Sequence, residues 1–130
     1  MDNINTLICY LMAIQNYSKD IHYNCKGTDF YSNHLLADRI GENMSDYIDN
    51  LKEVCLLGRG VEPLKSAKYL GKCSEFIPEI IDFNNMLELL ENTSRHIETI
   101  GNLSKGDENI IGTIAQDIQN NIGLINIMRG

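Results

Sequence analysis

Residues 31–57 read as one long amphipathic helix, and both of its faces limit what the chain can fold into. One face carries Leu36, Ile40, Met44, Tyr47, Leu51 and Val54, the recurrence of a stripe buried against a core. The other carries His34, Asp38, Asp49 and Glu53, which at about 100° per residue fall within a band roughly 100° wide. The two stripes point in different directions. The first can build a helical bundle while the second stays free for chemistry.

Imidazole mixed with carboxylate suits iron and its first-row neighbours, whereas calcium takes oxygen donors. His22 adds a second imidazole twelve residues before His34. One straight helix cannot bring these groups to one ion, because a rise of about 1.5 Å per residue separates Asp38 from Asp49 by roughly 16 Å. Metal–ligand bonds are only about 2 Å long. The stripe therefore holds two half-sites, His34/Asp38 and Asp49/Glu53. A second copy, antiparallel about a two-fold axis, would set each half against its complement, the reciprocity of an isologous dimer. The axis would pass near Asn43 and Met44, with Gly41 and Ser45 small enough to let two backbones approach. An ordinary solvated face would mix lysine and glutamate, and only Lys52 and Glu42 fit that description.

The same residues carry a family resemblance. The run His22-Tyr23-Asn24-Cys25-Lys26-Gly27, followed by Phe30, His34, Asp38, Asp49 and Glu53, resembles the signature of Dps-type mini-ferritins. The resemblance implies an all-α, ferritin-like four-helix bundle with a long crossover that carries a short helix between the second and third helices. It also implies a ferroxidase centre formed by His22, His34 and Asp38 of one chain with Asp49 and Glu53 of its partner. Iron is the metal expected, oxidised with hydrogen peroxide or dioxygen and stored as a ferric mineral inside a twelve-subunit shell. The aromatic after the first histidine is Tyr23 where the family has tryptophan, and the chain has no tryptophan. The other reading is a non-catalytic ferritin-like bundle serving as a structural or assembly protein, which the missing tryptophans permit.

The rest of the chain agrees with a helical bundle. Its 130 residues suit one domain, 1–130, with a real core, and 43% hydrophobic content with two prolines argues for helices. A net charge of −7 opposes duplex DNA binding, which needs a basic footprint. No run approaches the length of an apolar membrane span, and the first residues lack the basic region of a signal peptide. A cytoplasmic location and reduced Cys9, Cys25, Cys55 and Cys73 are expected.

Residues 3–25 predict a first helix, closed by Gly27, with His22 in its last turn. Residues 61–77 predict a long connection with a short helix over 64–70. A third helix is expected from Pro78, a favourable first-turn residue, to Gly101, with Ile80 and Ile81 on its apolar face. It contains no Glu-x-x-His step, the mark of an intra-bundle di-iron centre, so His96 reads as a surface or interface residue. The last helix is expected from Asp107 to Met128, with Asp107 as a capping acid at its start. In mini-ferritins this segment lines acidic pores, but Thr113 stands where a further aspartate is usual.

Overall fold

A computed structural model describes residues 1–130. Its helices are α1 (Asn3–Asn24), α2 (Phe30–Gly41), α3 (Met44–Asn50), α4 (Ser66–Phe76), α5 (Phe83–Glu98) and α6 (Lys105–Arg129). There is no strand. Asp2 starts α1 by accepting the Asn5 N–H at 2.8 Å, which satisfies one of the orphan donors of a first turn. Ile4, Leu7, Ile8, Leu11, Ile14, Tyr17 and Ile21 then bury a continuous stripe. After α1 the chain turns back at Gly27, whose φ of 85° is open to a residue without Cβ. The Phe30 N–H bonds the Gly27 carbonyl there.

Four long segments form the bundle: α1, α2 continued by α3, α5, and α6. They share a single core cluster of 25 buried residues. α4 lies in the crossover and packs on α1 through Tyr69 and Cys73. The Tyr69 hydroxyl donates to Asn5 Oδ1 at 2.6 Å and accepts the Leu64 N–H at 3.0 Å. One phenol thus ties the crossover to the first turn of α1. α4 runs well past the expected 64–70, because Tyr69 and Cys73 at i, i+4 give it a buried face of its own.

Segment 31–57 is not one straight helix. α2 stops at Gly41, the chain turns through Glu42 and Asn43, and α3 resumes at Met44. Leu51–Leu56 then forms a π-helical turn, followed by a 3₁₀ turn over Leu57–Arg59. The wider turn moves the buried register. Leu51 is followed inward by Cys55, while Val54, in phase for a regular helix, is 43% exposed. Gly41 is used within the chain, since a Cβ there would overlap the Ser18 hydroxyl. Ser45 likewise accepts from Gln15 Nε2 at 2.6 Å. Both small residues let the second helical segment sit close against α1.

Two helix starts also differ from expectation. α5 begins at Phe83, where Asp82 accepts the Asn85 N–H at 2.7 Å, and Ile80 and Ile81 stay exposed. The Tyr17 hydroxyl holds that stretch extended by accepting the Asp82 N–H at 3.0 Å beside the Ile80 and Asp82 carbonyls. α6 is capped by Ser104, which accepts the Asp107 N–H at 3.1 Å. Asp107 is instead buried and paired with Arg59 at 3.0 Å, joining the 3₁₀ turn to α6. All four cysteines are free thiols. Burial pushes Cys9 and Cys55 up to about 11, Cys55 with a further push from Asp107. No helix is long and apolar enough to cross a membrane.

Candidate metal centre

His22 closes the last turn of α1 and His34 stands in the second turn of α2, so the short Gly27 turn folds one against the other. Their rings stack with centroids 3.5 Å apart and planes 21° from parallel. Each ring is fixed by the other residue's backbone: His22 Nδ1 lies 3.0 Å from the His34 carbonyl oxygen, and His34 Nδ1 lies 2.8 Å from that of His22. A carbonyl oxygen only accepts, so Nδ1 carries the proton in both rings. In the neutral rings both Nε2 atoms then keep a lone pair. Metal-ligating histidines are commonly held in this way, with the second ring nitrogen donating to a carbonyl. Phe30 lies nearly parallel to His34 at 5.1 Å, and Tyr23 meets His22 edge-on at 5.1 Å.

Asp38 follows His34 by one helical turn and faces α1 across a cleft of about 250 Å³. His22, Asp38 and Glu42 line that cleft together with Gln15, Ser18 and Lys19. Asp49 lines a separate hollow of about 240 Å³ with Met12, Ser45 and Lys52. Gln15 borders both, and its hydrogen bond to Ser45 stands between them. Glu53 lies in the π-helical turn and is exposed. Asp38 and Asp49 are exposed as well, and none of the three carboxylates joins either of the chain's ion pairs.

The chain therefore brings His22, His34 and Asp38 together where α1 and α2 meet and leaves Asp49 and Glu53 further along, in α3 and the π-helical turn. No group of three or more His, Cys, Asp or Glu side chains converges closely enough within one chain to hold a metal ion. His96 stands apart, its Nε2 2.9 Å from the Asn3 carbonyl oxygen and its ring tilted against Tyr10. Glu42 reads in the sequence as part of a solvated face, yet it lines the cleft with His22 and Asp38. It continues the His34–Asp38 step by four residues.

Bundle, crossover helix and connectivity define a ferritin-like helical fold. Among solved structures the chain is similar to the DPS protein from Vibrio cholerae O1, described as a member of a broad superfamily of ferritin-like diiron-carboxylate proteins. That match has a TM-score of 0.70 at 16% identity and covers 98% of this chain and 87% of the other. No protein-family model matches the chain, and no protein of curated function does.

Proposed function

We propose that this chain is an iron(II)-oxidising mini-ferritin whose reaction centre is completed between two copies. The observation that carries this reading is the reciprocal His22–His34 lock, which leaves two imidazole lone pairs unused, with His22 lining the same cleft as Asp38. Two neutral nitrogens and one carboxylate bind iron(II) without cancelling its charge. A partner's Asp49 and Glu53 would add two further negative donors, and these favour the iron(III) product because its extra charge is neutralised where it forms. The three exposed carboxylates are free to serve, since no cation of the same chain occupies them.

Iron is the substrate here. With hydrogen peroxide as oxidant, two iron(II) and two protons per peroxide give two iron(III) and two waters. Dioxygen is the other oxidant this chemistry accepts. The resemblance to mini-ferritins extends the proposal to a twelve-subunit shell in which the product is stored as a mineral, limiting peroxide stress.

The test is oxidation of iron(II) added anaerobically and then exposed to peroxide, in wild type and in a His34→Ala/Asp38→Ala variant. Stoichiometric oxidation that the variant loses, with its oligomer intact, is the expected result. Identical iron behaviour in both proteins would support the non-catalytic bundle instead.

A further inference from the structure

The reaction just proposed sets an electron count that five donor residues serve poorly. Peroxide accepts two electrons and each iron(II) supplies one, so a turnover that releases no one-electron intermediate draws on two iron(II) at one centre. Ions of this kind take about four to six donor atoms each. His22, His34, Asp38 and a partner's Asp49 and Glu53 satisfy one ion and hold a second thinly.

Glu42 stands where a further donor is needed. It follows Asp38 by four residues at the turn that ends α2, and it lines the same cleft as His22 and Asp38. It is the only carboxylate on that wall besides Asp38. Its side chain is exposed and joins neither ion pair of the chain, so it can swing inward at little cost. Lys19 is the one cation lining the cleft. Two carboxylates against one ammonium leave a net negative cleft, which draws divalent cations. The Gly41–Ser18 contact fixes the wall from which Glu42 projects.

Resting on the mini-ferritin reading, we infer that Glu42 is an iron-binding residue. It holds a second iron(II) with Asp38 as the carboxylate shared between the two ions.

Anaerobic titration with cobalt(II), followed by its visible absorption, counts the sites without any turnover. The wild type should take up two cobalt ions per intersubunit centre, Glu42→Gln one, and His34→Ala should lose the first, tightly bound ion. Glu42→Asp, which keeps the charge on a shorter arm, should retain the second ion with weakened affinity. A Glu42→Gln protein that still binds two ions, or a wild type that saturates at one, overturns the role of Glu42. In either case binding lost in His34→Ala leaves the mini-ferritin reading standing. Cobalt uptake unaffected by both substitutions, or absent from the wild type, overturns both.

Discussion

Gly41 and Ser18 meet so closely that a methyl group on residue 41 would overlap the Ser18 hydroxyl. α1 and α2 are therefore in contact at backbone distance beside the cleft that His22 and Asp38 line.

Gly41→Ala should force the two helices apart and destabilise the protein by about 1–3 kcal/mol, the usual range for overpacking. Ser18→Ala removes the hydroxyl but keeps a Cβ that would lie 3.1 Å from the new methyl. The double variant should then recover part of the loss, which a double-mutant cycle in urea measures. Additive effects in that cycle would show that the contact does not limit helix approach.

A polar link joins the second helical segment to α6. The Tyr47 hydroxyl donates to Asp117 Oδ2 at 2.8 Å. Burial first, and then the Asp117 carboxylate, push the Tyr47 phenol from its ordinary 10 up to about 12. The folded chain thus holds this proton above the pH at which the unfolded chain releases it. The stabilisation is complete below pH 10 and is lost as pH rises between about 10 and 12. Tyr47→Phe should cost about 1 kcal/mol near neutral pH through the lost hydrogen bond. It should also flatten part of the alkaline decline in stability, and only part, because Cys9 and Cys55 are raised to about 11 as well. Urea unfolding at pH 8 and pH 11 checks this: the gap between the two proteins should narrow, and a constant gap would refute the linkage.

These two contacts mark where sequence reasoning reached its limit. The apolar recurrence located α1 and α6, because burial against one core imposes a period that survives in the residues themselves. It could not register the π-helical turn at Leu51–Leu56, since a single widened turn trades Val54 for Cys55 inside one hydrophobic run. Proline at position 78 is compatible with a helix start, yet α5 begins at the Asp82 cap, and the Tyr17 hydroxyl that holds the stretch before it is a tertiary contact. Asp107 beside a helix start reads as a cap until Arg59 is seen to pair with it. The His22–His34 spacing was legible, while the mutual carbonyl lock was not, because it depends on how the Gly27 turn closes.

The sharing of the centre between copies gives the most demanding prediction. One variant would carry His34→Ala and Asp38→Ala, the other Asp49→Ala and Glu53→Ala, and neither alone should oxidise iron. When the two are unfolded together and refolded, mixed dimers form. In each mixed dimer one centre has lost both halves, and the other combines the intact histidine half of one chain with the intact carboxylate half of its partner. Random pairing should restore about a quarter of the wild-type centres, as two-fold reciprocity requires. Stopped-flow oxidation of iron(II) by peroxide, normalised to refolded dimer, measures that fraction. A mixture as inactive as its parents would place all five residues in the service of a single chain and remove the intersubunit centre.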